Sequence, residues 1–402
     1  MMLKRAVFFQ VSFFVICNLL VAQSNKYIDT TYFANEKKIV ESVTYKWIQV
    51  PDTLKNGPAF FFYPNGKIKQ TGFYAFDKPD SIWKTYYLSG KLKQDVTYLN
   101  GRRNGFFINY YETGNKKYEG IYVNDTLTGI VNLYYPSGIM QEIRNYSGNK
   151  LNGITTGYNT DGTMIYRFNY IDSIPNGLYE KYYPSGKLKE QGTIVNTDFN
   201  GSYKSFYECG ATEMSYNYTG FNINGPYTVY FENGTVKIAC DYINGNIEGP
   251  WKKFHQNGTI EESGDYLNGV PNGKWTYFFE DSKIYMEGNY QNNFAEGLWT
   301  IYHKNGNVKQ KGFYQQGKSE GFWQFFHENG AVRAQGEFVA NKLHGHWVHF
   351  YPSGKVQLDL YYNDSKLEGI LTAFDETGEI IEQSEFIDNL LIRQIKGKSV
   401  NK

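Results

Sequence analysis

A glycine returns every 24 residues from Gly66 to Gly378, and nothing is inserted or deleted over that stretch. Of the fourteen positions in the series thirteen are glycine, and Ser282 is the exception. Taking this residue as position 0, a second glycine series runs nine residues upstream, from Gly57 to Gly369, with Ser81 as its exception. Position −4 is Phe or Tyr in every repeat, from Phe62 to Phe374. Position +8 is Tyr in eleven repeats, Phe338 and Phe386 in two, and Ile194 in one. A strict period of this length means a stack of identical supersecondary units, each relying on its neighbours for a core.

The segments around position 0 read YPNG, YPSG, FENG and YETG. Two turn formers before a glycine are the chemistry of a type I turn closed by a left-handed residue, a three-residue hairpin loop. The flanks are β-formers, so each unit is expected to be one hairpin. A second turn, such as Asn100-Gly101, Asn244-Gly245 or Asn268-Gly269, joins each hairpin to the next. The expected fold is all-β: an elongated, single-layer antiparallel β-meander of about 14 consecutive hairpins. In a three-residue loop position −4 pairs with +2, where Ile68, Leu92, Leu188, Val236, Ile260, Val308 and Val356 stand. Counting even separations along the strand puts the +8 tyrosine on that same face. Position −7, with Trp83, Trp251, Trp275, Trp299, Trp323 and Trp347, then falls on the opposite face together with position −3.

Composition agrees with this reading. The chain carries 37 Tyr, 29 Phe and 41 Gly among 402 residues, which excludes disorder, and its three cysteines exclude a disulfide-stapled scaffold. Forty-one Lys+Arg against 40 Asp+Glu give no basic footprint for nucleic acid, so none is expected as a partner.

Residues 1–22 have the layout of a signal peptide: Lys4 and Arg5, an apolar core from Ala6 to Val21, and Leu20-Val21-Ala22 as the cleavage site. The mature chain is expected to start near Gln23 and to be exported, to the periplasm, the outer envelope or the medium. No later segment approaches 18 apolar residues, so no integral membrane span is expected in the mature chain. Residues 23–53 read as an N-terminal half-repeat cap with its strand at Val43 to Val50, residues 54–389 as the array, and 390–402 as a C-terminal tail.

No catalytic constellation is present: there is no G-x-S-x-G with triad partners, no Walker loop and no C-x-x-C. No enzyme activity, cofactor or metal is expected. His255, His303 and His327 occupy position −3, where Tyr or Phe usually stands, and read as substitutes within an aromatic ladder. His344 and His346 could share a side and chelate an ion, but no third ligand accompanies them. Cys209 and Cys240 fall too far apart along the sheet for a bridge and are expected to be free thiols. The five tryptophans Trp251, Trp275, Trp299, Trp323 and Trp347 recur in consecutive repeats, while repeats 3 to 8 have Phe, Val, Thr or Tyr in that slot. A stripe confined to one stretch marks these five as candidate ligand-binding residues.

Units such as GPWKKFHQNGTIEESGDYLNG (Gly249 to Gly269) and GLWTIYHKNGNVKQKGFYQQG (Gly297 to Gly317) resemble the MORN-repeat family, and more closely its variant repeat of bacterial proteins. The resemblance covers residues 57–389. It implies binding rather than catalysis, since members of the variant class are commonly described as antitoxin-like or immunity-like. The expected function is therefore a non-catalytic exported scaffold that binds a protein or glycan partner through the aromatic faces of its sheet. The alternatives are an immunity-type protein neutralising a toxin and a membrane-surface lipid binder.

Overall fold

In each hairpin loop the amide of position 0 donates to the carbonyl of −3, as Gly66 does to Tyr63 at 2.9 Å. The amide of −3 in turn donates to the carbonyl of +1, Tyr63 to Lys67 at 2.8 Å. The closing glycines have φ between +80° and +102°, the left-handed region where a Cβ would clash with the backbone. The connecting turns place two residues in succession at positive φ, as at Asn100 (50°) and Gly101 (88°), or Asn124 (48°) and Asp125 (66°). That is the type I′ geometry, whose twist matches the flanking strands.

A computed structural model describes residues 26–32, 40–48 and 53–396 of the chain. They contain no helix and form 33 strands, every observed pairing being antiparallel. The chain divides into two compact units, residues 1–162 and 163–402, with twelve strands in the first and 21 in the second. Within each unit the strands follow one another in chain order as a meander of hairpins, as expected. The stretch read as a signal peptide, residues 1–22, lies outside the described residues. The stretch read as a half-repeat cap holds two strands, Lys26–Tyr32 and Val40–Ile48, paired with each other. Thr44 pairs with Ala59, the pairing that position +6 makes elsewhere, so this strand stands four residues ahead of the 24-residue period. Residues 390–396 form a last strand, Leu390–Lys396, exposed along its whole length.

The expected pairing of −4 with +2 is present, Tyr86 with Leu92 and Phe326 with Val332. The face assignment built on it is not. Position −5 pairs with +4, Thr85 with Gln94, so residue +3 is an extra residue in the second strand: a β-bulge. An extra residue reverses the parity of everything beyond it. The +8 tyrosine therefore lies on the face of the −7 tryptophan, and −4 and +2 lie on the other. Trp83 meets Tyr74 and Tyr98 with ring centroids 4.9 and 6.4 Å apart.

Both long edges of the sheet are laced laterally. At the hairpin tips the ring of −3 reaches the −4 carbonyl of the next repeat: Tyr63 Oη donates to Tyr86 O, Tyr87 to Tyr110 O, Tyr111 to Tyr134 O and Tyr351 to Phe374 O. At the connecting turns the carboxylates of Glu248, Glu296, Glu320 and Glu368 accept from amides of the following turn. A single layer has little apolar core, so such clasps, at about 1 kcal/mol each, carry a large share of the inter-repeat coupling.

Candidate binding faces

The tryptophan face is a packed aromatic layer. In the second unit Tyr266, Trp275, Tyr290, Trp299, Tyr314, Trp323, Phe338, Trp347 and Tyr362 follow one another with centroid separations of 5.1 to 6.4 Å. Interplanar angles of 73° to 89° make them edge-to-face pairs, the geometry favoured by the ring quadrupoles. Trp275, Trp299, Trp323 and Trp347 are only 3 to 5% exposed. Their indole N–H groups donate to backbone carbonyls ten residues upstream, Trp299 to Asn289 O at 3.1 Å and Trp323 to Phe313 O at 3.2 Å. The structure thus brings the stripe together, but four of its five rings are turned into the layer with their polar atom spent.

Tryptophan at −7 has a local requirement, room over the preceding +6 residue, although Gly120 and Gly192 are followed by Val131 and Tyr203 and so a glycine there does not by itself bring a tryptophan. Each of these indoles lies flat on the +6 glycine of the preceding repeat: Trp83 on Gly72, Trp275 on Gly264, Trp299 on Gly288, Trp323 on Gly312, Trp347 on Gly336. A Cβ at those glycines would stand 2.0 to 2.3 Å from the indole. Where +6 is Arg144, Phe168 or Tyr216, the following −7 residue is Thr155, Tyr179 or Tyr227, and tryptophan is missing. Trp251 is the informative exception. It follows Cys240, is only half-buried, and its indole nitrogen is enclosed without a hydrogen-bond partner. Cys240 is free and buried, which pushes its thiol up to about 11; Cys209 is free and exposed.

His349 sits on this face at −5, where the preceding repeat has Phe325. Burial, with Arg333 nearby, holds its imidazole below the ordinary histidine range of ~6.5. The unfolded chain therefore binds the proton more readily than the folded one, and stability falls as pH drops below about 6.5. The variant His349→Phe is expected to lose less thermal stability than the parent between pH 7.5 and 5.5. Parallel losses would show that His349 does not carry the linkage.

Four of the other histidines are structural donors or partners. His255, His303 and His327 stand at −3 and place Nε2 3.0 to 3.2 Å from the next repeat's carbonyl, the bond a tyrosine makes there. This explains why His and Tyr exchange in that slot: both carry a donor at the far end of a ring. His346 Nε2 lies 2.7 Å from Asp359 Oδ1, and its ring stacks on Tyr361. Among the described residues no group of three or more His, Cys, Asp or Glu side chains is arranged to hold a metal ion.

The opposite face is open to solvent and mixed. Its polar rungs are ion pairs and hydrogen bonds across strands, such as Lys274 to Glu287 at 2.9 Å with Tyr302 Oη donating to the same carboxylate. Lys274 and Tyr302 together hold the Glu287 carboxyl below its usual range. Burial and that carboxylate push the Tyr302 phenol up to about 12. Beside these rungs, positions −8 and +7 present apolar side chains outward. In the second unit Leu298 and Phe313 pair directly across strands, and Phe322 follows on the next strand. They are 47, 52 and 49% exposed. In the first unit Ile82, Phe106 and Ile130 occupy the −8 slot and are exposed as well. Composition does not reveal this row, because the bulge at +3 decides which residues point outward.

A profile described as MORN repeat variant matches eight segments: residues 55–75, 79–100, 175–196, 223–244, 247–268, 271–292, 295–316 and 343–364. The chain belongs to the MORN repeat variant family. No curated protein matches it. Among solved structures, a TcdB2-TccC3-Cdc42 complex aligns at 9% identity and a TM-score of 0.15, over 92% of this MORN variant chain and 22% of the other. The Photorhabdus luminescens Tc holotoxin pore with a TccC3 substitution aligns at 10% identity and 0.16, over 87% and 24%. The chain thus spans about a quarter of those proteins or less, and likeness at such scores carries no functional argument. Among the described residues no helix is long and apolar enough to cross a membrane.

Proposed function

We propose that this MORN variant chain is an exported, non-catalytic scaffold that docks a protein partner on the face opposite the tryptophan layer. The observation that carries it is the outward row Leu298, Phe313 and Phe322, three large apolar side chains about half exposed on consecutive strands. On a sheet with one packed face, outward positions are normally polar, and clustered apolar ones mark an interaction site. A protein suits the row better than a neutral sugar, because Leu298 supplies aliphatic surface beside the two exposed rings of Phe313 and Phe322. The regular clasps along both edges keep the face rigid, so little ordering cost falls on binding.

A photoreactive phenylalanine analogue at position 313 is expected to cross-link a discrete protein from envelope extract. Leu298→Ser with Phe322→Ser should suppress that product while the thermal midpoint stays unchanged. The same product from a probe at exposed Lys252, or its survival in the double variant, would remove the row as the site. N-terminal sequencing of the mature protein should begin near Gln23; a retained Met1 would argue against export.

A further inference from the structure

Charge is distributed unevenly along the chain. Residues 54–123 carry eleven Lys or Arg against five Asp or Glu, whereas residues 124–402 carry 24 against 31. Much of the excess sits on three successive hairpin tips of the first unit, as Lys67 and Lys69, Lys91 and Lys93, and Lys116 and Lys117, all exposed. Lys116 is paired with Glu119, and Lys67 reaches the Ser89 carbonyl at 3.5 Å. Lys69, Lys91, Lys93 and Lys117 make no ion pair among the described residues.

Each tip also carries a ring at −3: Tyr63, Tyr87 and Tyr111. Their hydroxyls are committed to the next repeat, so the rings are fixed in orientation. Lys93 Nζ lies 5.6 Å from the centroid of Tyr87, and Lys117 Nζ 5.6 Å from that of Tyr111. Successive tips are two strand spacings apart, about 10 Å. The edge thus repeats an aromatic ring held in orientation, with a lysine close beside it at Tyr87 and at Tyr111.

We propose that these tips bind a linear acidic polysaccharide, its anionic groups on the lysines and its sugar rings against Tyr63, Tyr87 and Tyr111. A flexible cation alone would suit any anion. The ring beside each cation selects a ligand with an apolar face next to its charge, as a pyranose carboxylate has. A ladder one residue wide along a sheet edge suits a chain better than a lipid plane. This site lies on the hairpin edge and does not depend on the apolar row of the open face.

The test uses the full mature chain and a fluorescein-labelled hyaluronate decasaccharide, which bears one carboxylate per disaccharide, followed by anisotropy. Binding is expected to weaken as salt rises, because exposed charges are screened. The variant K69E/K93E/K117E is expected to bind about tenfold more weakly or worse, equivalent to ~1.4 kcal/mol or more. K252E, at an exposed lysine of the second unit away from the hairpin tips, should bind like the parent. If the triple reversal disturbs folding, K69Q/K93Q/K117Q serves in its place with the same expectation. Undiminished affinity in the folded triple variant would overturn the proposal. So would equal binding of neutral dextran, or preferential binding of polyglutamate or of vesicles containing one-third phosphatidylglycerol.

Discussion

Gly312→Val is expected to destabilise the second unit by about 3–5 kcal/mol, as much as removing a buried tryptophan. Even the first added carbon would stand 2.0 Å from the Trp323 ring, which is 3% exposed and has nowhere to shift within the layer. The indole would have to swing out, breaking its bond to Phe313 O and its edge-to-face contacts with Tyr314 and Phe338. The chain itself suggests the repair. Val96 at +6 is followed by Phe107 at −7, and Phe107 is 4% exposed. The double variant G312V/W323F should therefore be much more stable than the sum of its single changes predicts. Chemical denaturation of the four proteins in the cycle reads the coupling directly. Simple additivity would mean that the ring-on-glycine contact is not what sets residue choice at these two positions.

The same contact shows what the sequence made legible and what it concealed. The turn glycines, the hairpin unit and the −4 to +2 pairing are local features, fixed by residues within a few positions of one another. Gly66 and Tyr63 close their loop without help from elsewhere. The faces depend on a single bulged residue at +3, which has no composition of its own: Lys93, Lys117, Tyr285 and Arg333 all stand there. Parity counted across that residue comes out inverted: counting along the chain sets the tryptophans on a face apart from the +8 tyrosines, whereas the fold puts the two on one face. The dependence of each tryptophan on the +6 glycine was present in the sequence, but the two residues lie eleven apart in adjoining repeats, and only the fold shows that they touch. The tip lysines stand close to each hairpin glycine in the sequence, as Lys67 and Lys69 do beside Gly66. Their alignment into one edge required the strand register. The row formed by Leu298, Phe313 and Phe322 depends on the same bulge, which brings −8 and +7 opposite each other on one face.

Trp323→Ala separates packing from binding. Loss of a buried indole should cost about 3–5 kcal/mol, since a single layer offers few side chains to collapse into the space. The effect should be local, because repeats in such arrays couple mainly to their nearest neighbours. Hydrogen exchange is expected to speed up in Val308–Gln315, Lys318–Phe326 and Val332–Val339, and to stay slow in strands several repeats away. Phe313 lies on one of these loosened strands, so cross-linking through it should weaken as well, without Trp323 touching the partner. The unlike case is Phe313→Ser, where the side chain is 52% exposed and leaves no cavity. There the exchange pattern should stay that of the parent while cross-linking is lost. A Trp323→Ala variant that kept its exchange protection yet lost the partner would return the tryptophans to the binding surface and remove them from the core.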